Sequence, residues 1–163
     1  MADSVCPVVP GRACDGCTLC CKLLEVRDVS KPMGKWCQHC DVGVGCKIYS
    51  ERPPLCAGFH CGFLTQPELT EEWRPFKSKM VLAPEPESNR MTIYVDPGRP
   101  DVWRSEPFIS QIKKWAILFL KTDAHIAVYV GKRVFVILPA RKAMASKGFC
   151  CTKSDKMLQR VRR

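Results

Sequence analysis

Apolar and polar positions alternate most clearly in the second half of the chain. Two runs rich in apolar and β-branched residues, 79–83 and 90–95, flank a Pro-Glu-Pro-Glu-Ser-Asn segment, as the strands of a hairpin do. Two further runs, 125–130 and 133–138, are separated by a Gly-Lys pair, which has the length of a two-residue hairpin turn. The pattern therefore predicts two β-hairpins.

Between the two hairpins, apolar residues recur three or four positions apart, the spacing of one face of an α-helix. They are Phe108, Ile112, Trp115, Ala116 and Phe119. Upstream, Ser105 offers a hydroxyl for capping and Pro107 suits a first helical turn, so we expect a helix that starts here and runs to about Lys121. The resulting order, β-β-α-β-β, predicts an α+β fold.

The first half, up to about Leu64, shows no sustained periodicity and is interrupted by many glycine and proline residues. We expect loops and short helical turns, with too few apolar positions for a conventional core. Bound metal can supply folding free energy to such a segment, so we expect it to lose its order without metal. The chain is therefore divided into an irregular cysteine-cluster metal-binding region, 1–64, a small α+β region packed on it, 65–140, and a flexible basic tail, 141–163.

Length and composition are those of one compact, soluble chain of 163 residues, 46% hydrophobic and 26% charged. A chain of this size does not need disulfides in order to fold, so its twelve cysteines need another explanation. The first residues lack the basic start of a signal peptide, and the longest apolar run, 115–120, is far shorter than the roughly 20 residues that cross a bilayer. We therefore expect a cytoplasmic protein without membrane insertion, in a compartment where clustered thiols more often bind metal than form disulfides.

Nine of the twelve cysteines fall in one stretch of the first half, and residues 62–149 contain none. The run Cys14-x2-Cys17-x2-Cys20-Cys21 brings three or four thiols onto one tight turn, and thiolates suit zinc, copper(I) and iron–sulfur clusters. The run is similar to the start of a bacterial ferredoxin site, but the fourth cysteine, three residues later and followed by proline, is missing. Because two adjacent cysteines seldom bind one tetrahedral metal, either Cys21 serves a second centre or a remote cysteine completes the first. Nine thiols satisfy two four-coordinate sites with one left over, or fewer metals with shared or spare sulfurs.

The cysteine spacing continues along the chain as Trp36-Cys37-Gln-His-Cys40, Gly45-Cys46-Lys-Ile-Tyr49, Arg52-Pro53-x2-Cys56 and Phe59-His-Cys61. Together with the first run, these motifs resemble the bacterial CxxCxxCC family, which is described as a zinc- or iron-chelating domain. The resemblance covers residues 14–64, and the second half is similar, more loosely, to the small stand-alone members. A related cysteine motif in flagellin lysine methylases is associated with an iron–sulfur cluster, which favours iron here. This chain is far too short to carry their methyl transfer.

The resemblance implies that nine cysteines are metal ligands: Cys14, Cys17, Cys20, Cys21, Cys37, Cys40, Cys46, Cys56 and Cys61. The cofactor is then an iron–sulfur cluster (4Fe-4S) or zinc. His39 and His60 adjoin these cysteines and are further candidate ligands, since imidazole binds both metals; the alternative is a supporting or exposed imidazole. Cys6, Cys150 and Cys151 lie outside the motif and are expected to be ordinary thiols.

Four other residues of the motif are expected near such a centre. Arg52 can offset the negative charge of the thiolates, or be a surface residue. Trp36, Tyr49 and Phe59 are expected to shield the centre from water, because a dry surrounding tunes the stability and potential of a metal.

The formal charge of +10 suggests a nucleic acid or another anionic partner, but the tail 141–163 supplies most of the excess and metal-bound thiolates would reduce it. The tail can contact phosphates or simply be solvated, so nucleic acid is the weaker partner prediction and a metal ion the stronger one. No phosphate-binding loop and no hydrolase or metalloprotease motif is present, and no reaction is predicted. Three functions stay open: a metal-binding protein, an iron–sulfur redox protein or electron carrier with a protein partner, and a zinc-stabilised nucleic-acid-binding module.

Overall fold

The computed structural model describes residues 7–85, 88–120, 122 and 124–138, together with the backbone of 158–161. The first half contains only short elements joined by loops. In chain order they are α1 (Cys20–Leu23), β1 (Cys40–Asp41), β2 (Gly45–Cys46), α2 (Pro54–Gly58) and α3 (Gly62–Thr65). Single 3₁₀ turns at Arg27–Val29 and Tyr49–Glu51 lie between them. This agrees with the loops and short helical turns predicted for this region, but the small antiparallel pair of β1 and β2 was not predicted.

The second half contains the longer elements of the fold. After a 3₁₀ turn at Glu71–Trp73, they are α4 (Pro75–Ser78), β3 (Met80–Glu85), β4 (Arg90–Val95), α5 (Phe108–Phe119), β5 (His125–Val130), β6 (Arg133–Ile137) and β7 (Leu158–Val161). Within the described ranges, no helix combines the length and the apolar character that crossing a membrane requires.

The strands β3 to β7 form one sheet in the order β3-β4-β5-β6-β7. Neighbouring strands pair antiparallel, except β4 and β5, which are parallel. A parallel pair needs a long crossover connection, and the segment that contains α5 provides it. The predicted α+β fold and the order β-β-α-β-β are confirmed. The strand β7 comes from the predicted basic tail, the rest of which lies outside the described residues.

Two element ends differ from the prediction, each for a local reason. The expected helix cap is absent: Ser105 Oγ donates to Val102 O at 2.7 Å, a carbonyl of the turn just upstream, and α5 begins at Phe108 without a side-chain cap. The first strand continues into the predicted loop as far as Glu85. Its Pro84 is tolerated because β3 is an edge strand, where one row of backbone groups needs no partner in the sheet.

The main core lies on the face of the sheet that α5 covers. Trp103 is fully buried, and the ring of Trp73 lies 4.8 Å from that of Phe108 and 5.1 Å from that of Trp115. Ile112, in the middle of the predicted apolar face, is also fully buried. Because burying a large apolar side chain contributes about 1.5–3 kcal/mol, the second half has a core that does not depend on the cysteines.

The opposite face of β3 and β4 contacts the cysteine-rich half. Leu19 and Leu23 pack on Val81, and Tyr94 lies against the same small cluster. Close by, the ammonium of Lys22 forms an ion pair with the carboxylate that follows β4, at 2.8 Å. These contacts hold α1, and with it two of the cysteines, against the sheet.

Candidate metal centre

The run from Cys14 to Cys21 folds as two successive tight turns. The amide of Cys17 donates to Cys14 O at 2.6 Å, and the amide of Cys21 donates to Thr18 O at 2.9 Å. Gly16 lies in the first turn with a φ of +70°, which favours glycine. A Cβ atom there would lie 2.5 Å from the carbonyl oxygen of Gly43, so the motif approaches the next cysteine segment closely.

That next segment is the hairpin of β1 and β2, which places Cys40 directly opposite Cys46. Thr18 joins it to the first motif, because its Oγ1 accepts a hydrogen bond from the amide of Gly43 at 3.1 Å. The amide of Cys37 donates to the backbone carbonyl of Cys21 at 3.0 Å. Backbone contacts therefore bring the two cysteine segments together.

The remaining two predicted ligands lie at either end of a short helix–loop segment. Cys56 is in α2, whose first turn contains Pro54, a favourable residue at that position. Cys61 immediately precedes α3, which packs closely on β3, since a Cβ on Gly62 would lie 2.8 Å from Leu82 Cβ. Cys56 is therefore positioned by a short helix between loops, whereas Cys61 is positioned by the contact between α3 and the sheet.

All predicted cysteine ligands except Cys61 line one open cavity of about 520 Å³, which we call the cysteine cavity. Apolar side chains such as Leu24, Ile48 and Leu55 supply much of the rest of its wall. Cys61 instead lines a small neighbouring pocket of about 30 Å³, the Cys61 pocket. The structure therefore gathers the nine thiols around two adjacent spaces.

The nine cysteines are all free thiols, and only Cys14 is exposed. Among the described residues, no three His, Cys, Asp or Glu side chains are close enough together to hold a metal ion as they stand. The donor atoms thus suit a soft metal in kind and number, whereas binding one requires side-chain rotation within the cavity.

Cys20, Cys21 and Cys40 all line the cysteine cavity. The interaction with Cys20 and burial raise the pKa of Cys21 far above its ordinary value. Burial and the neighbouring Cys21 raise the pKa of Cys40 to about 11. Burial also raises the pKa of Cys61 to about 11, although the amides of α3 oppose the shift. In the absence of a cation these three thiols are protonated at neutral pH, so metal binding here would release protons.

Lys31 is a feature of the site that the sequence analysis missed. It is only 4% exposed, and its ammonium donates to the carbonyl of Lys22 at 2.8 Å and to that of Leu24. Burial lowers the pKa of Lys31, and the nearby thiols of Cys21 and Cys37 act in the opposite direction. A lysine in a Ser-Lys-Pro stretch gives no sign of this burial, which arises only from the folded surroundings.

The two candidate histidines occupy different places. His39 lines the cysteine cavity, with its Nε2 3.2 Å from Gln38 Nε2. His60 lines neither the cavity nor the Cys61 pocket, but its Nδ1 is buried without a hydrogen-bond partner in the described part of the chain. His39 is thus placed to reach a ligand in the cavity directly, and His60 is not.

The other predicted neighbours of the centre are placed unevenly. Arg52 lines the cavity, stacks on Tyr49 at 3.9 Å, and opposes the rise in pKa that burial causes at Cys56. Phe59 lines both spaces, and Tyr49 lines the cavity while staying 64% exposed.

The prediction that Trp36 shields the centre is wrong. Its ring is 41% exposed and is not part of the cavity wall. It lies instead near the ammonium of Lys22.

Three of the cysteines, Cys6, Cys150 and Cys151, lie outside the described residues. Comparison of the chain with protein-family models, with curated proteins and with solved structures finds no match.

Proposed function

We propose that this chain is a metal-binding protein that chelates iron, including an iron–sulfur cluster, or zinc through the cysteine cavity and the adjoining Cys61 pocket. The observation that carries the proposal is the convergence of thiols from four separate segments on one cavity. Free thiols that are merely structural have no reason to converge from distant positions, whereas ligands of one soft metal site must do so.

The packing of the cysteine-rich half supports the same conclusion. No hydrophobic side chain between Val26 and Phe63 is buried; in that stretch only Lys31 and Gly62 are. A segment of this length without an apolar core needs another source of folding free energy, and metal–thiolate bonds between its loops can supply it. Three of the ligands that would link these loops are Cys37, Cys46 and Cys56.

The donor set also indicates which metals fit. Thiolates bind zinc and iron–sulfur clusters and do not suit magnesium or calcium. When bound, such a group would cross-link the loops and, if it contained iron, supply one-electron chemistry. A cavity of about 520 Å³ is far larger than a single ion needs, which favours a polynuclear centre over one zinc ion. The resemblance of residues 14–64 to the CxxCxxCC family supports iron or zinc, and the related motif of the flagellin lysine methylases favours iron.

The decisive test is the metal and acid-labile sulfide content, with a visible spectrum, of protein purified without oxygen and without a metal-binding tag. Iron with matching sulfide would support a cluster, and zinc without sulfide would support a zinc centre. Protein that contains neither metal, and takes up neither on reconstitution, would overturn the proposal.

A cysteine variant extends the test to the ligands. Cys17→Ser is expected to lower bound metal and the yield of soluble protein together, because it removes a ligand from the first motif. Cys150→Ser, outside the motif, is the matched control and should change neither. Full metal content in Cys17→Ser would contradict its assignment as a ligand.

A second function, electron transfer by an iron–sulfur centre, is favoured by one observation. Cys14 is exposed, so a cluster bound there would reach the surface at that residue, where a protein partner can approach. Reversible bleaching of the visible spectrum by dithionite and its return with oxidant would support this role. A colourless zinc protein would exclude it.

A further inference from the structure

We infer that the nine thiols serve two neighbouring metal centres: one formed by Cys14, Cys17, Cys20 and Cys61, and a second drawn from Cys21, Cys37, Cys40, Cys46 and Cys56. This inference rests on the proposed function and assigns the ligands that the sequence leaves unassigned. Cys61 lines only the Cys61 pocket, the five cysteines of the second set line only the cysteine cavity, and Cys14, Cys17 and Cys20 line both.

The first set shares the Cys61 pocket. All four of its cysteines line this pocket, and none of the second set does. Much of the remaining wall is apolar and includes Phe59, Phe63, Leu64 and Val81, while Arg74 also lines the pocket. The pocket lies where α3 and the first motif both meet β3.

Hydrogen bonds to backbone carbonyls in and after α3 keep the first motif beside Cys61. The guanidinium of Arg12, two residues before Cys14, donates to the carbonyls of Phe63 and Gln66 around α3. The amide of Val9 donates to the carbonyl of Leu64, in α3, at 2.8 Å. The segment that leads into the motif is thus tied to the helix that Cys61 precedes, which fixes the two parts of this centre relative to each other.

The second set meets across the cysteine cavity. Cys40 and Cys46 are directly opposite each other in the hairpin, and the amide of Cys37 donates to Cys21 O at 3.0 Å. Cys56 lines the same cavity as Cys21, Cys37 and Cys46. None of these five lines the Cys61 pocket, so no member of the second set shares that space with Cys61.

The two sets meet at the adjacent pair Cys20 and Cys21 in α1. Successive residues of a helix point about 100° apart, so a vicinal pair cannot easily direct both sulfurs to one metal but can direct one to each of two. Only Cys20 of the pair lines the Cys61 pocket. Both Cys20 and Cys21 line the cysteine cavity, so the two centres lie side by side.

Metal content of cysteine variants tests the division. Full-length protein is compared with Cys61→Ser, with Cys40→Ser/Cys46→Ser and with the triple variant, and Cys150→Ser is the control. The second centre has five candidate ligands, so replacing two of them removes at least one ligand of a four-coordinate centre. Cys61→Ser and Cys40→Ser/Cys46→Ser are each expected to retain a substantial part of the metal, in complementary amounts, and the triple variant to retain none. Complete loss of metal in either of the first two variants, or full metal in either, would overturn the division.

A titration of the wild-type protein keeps the inference testable where a variant does not fold. Cobalt(II) is added anaerobically to metal-free full-length protein while the thiolate charge-transfer absorption is followed. Two successive binding phases with thiolate absorption in each are expected for two centres. A single phase would overturn the inference while leaving metal binding intact, whereas no thiolate absorption at all would count against the proposed function itself.

Discussion

The buried ammonium of Lys31 has two kinds of neighbour. Its protons are bonded to carbonyls at the end of α1, and the thiols of Cys21 and Cys37 lie close enough to act on its pKa. A buried cation beside a metal–thiolate centre would offset part of the negative charge, which is otherwise costly away from water. If the cysteines bind metal as proposed, we expect Lys31 to support metal affinity as well as to bond the carbonyls at the end of α1.

Lys31→Met is expected to weaken metal binding by roughly 10–100-fold, the range for residues that support a metal site without ligating it. The physical reason is the loss of a positive charge next to the thiolates. The dissociation constant is measured by competition with a chelator at fixed pH. Lys35→Met, which removes an exposed lysine from the same segment, is the control and should bind as wild type. Equal affinities in all three proteins would show that Lys31 only caps the helix.

Asp96 provides a second prediction at the residue scale, because it joins the cysteine-rich half to the sheet. Burial alone would raise its pKa, but the hydrogen bonds from Lys22 and from the Gly98 amide outweigh burial and hold the pKa below its ordinary value of 3.8. A lowered carboxyl pKa contributes stability that is present above the unfolded-state pKa and is lost as the pH falls through the folded-state value.

Asp96→Asn should therefore lower the free energy of unfolding at neutral pH by about 1–3 kcal/mol, the range for hydrogen bonds to a charged group. The difference from wild type should shrink as the pH falls below the ordinary carboxyl range. Urea unfolding at a series of pH values measures it. Asp101→Asn, which changes an 80% exposed carboxylate 3.6 Å from Arg104, is the control and should have little effect. A pH-independent difference would contradict the assignment.

At the scale of elements, the contact between α3 and β3 sets where Cys61 lies. Gly62 allows this approach, since the nearest atom to an added Cβ is Leu82 Cβ at 2.8 Å, and a strand Cβ cannot move aside as a flexible side-chain end can. The glycine is required here by space, because its φ is not in the left-handed region.

Gly62→Ala is expected to destabilise the protein by about 1–3 kcal/mol, the usual effect of overfilling a packed contact. Gly58→Ala is the matched control: it lies in α2, no atom lies within 4 Å of its added Cβ, and alanine favours helix. Thermal and urea unfolding of both variants give the comparison. If the two variants are equally stable, the α3–β3 approach does not constrain Cys61.

At the scale of the whole molecule, the two halves differ in what holds them. The second half has an extensive core beneath α5, whereas the stretch 27–62 buries no hydrophobic side chain. The halves meet through a small cluster that includes Leu19 and Val81, and through the ion pair of Lys22. Loss of metal should therefore affect one half far more than the other.

Hydrogen exchange measures this difference directly. After metal is removed with a chelator, amides in 27–62 are expected to exchange much faster, while those of β4 and β5 at the centre of the sheet keep their protection. Return of the metal should restore the slow exchange. Unchanged protection in 27–62 after complete metal removal would show that this segment is ordered by other contacts.

Local patterns in the sequence were sufficient for most of the elements. The hairpins and α5 follow from period-2 and helical spacing, which depend only on near neighbours, and the cysteine spacing alone marks the ligand candidates. Two predicted element ends were wrong for local reasons. The hydroxyl of Ser105 bonds the carbonyl of Val102 instead of capping α5, and β3 extends through Pro84 because it is an edge strand. Trp36 was misplaced because motif position does not tell which way a loop side chain turns.

By itself the sequence determined the α+β class, the β-β-α-β-β order and the concentration of soft donors in the first half, since periodicity and composition are properties of the chain. Only the tertiary structure decided the parallel pairing of β4 with β5, the burial of Lys31 and the grouping of Cys61 with the first motif rather than with Cys56. Each of these depends on contacts between residues far apart in the chain, and burial or register at such contacts is set jointly by both partners. No local pattern in either partner contains that information.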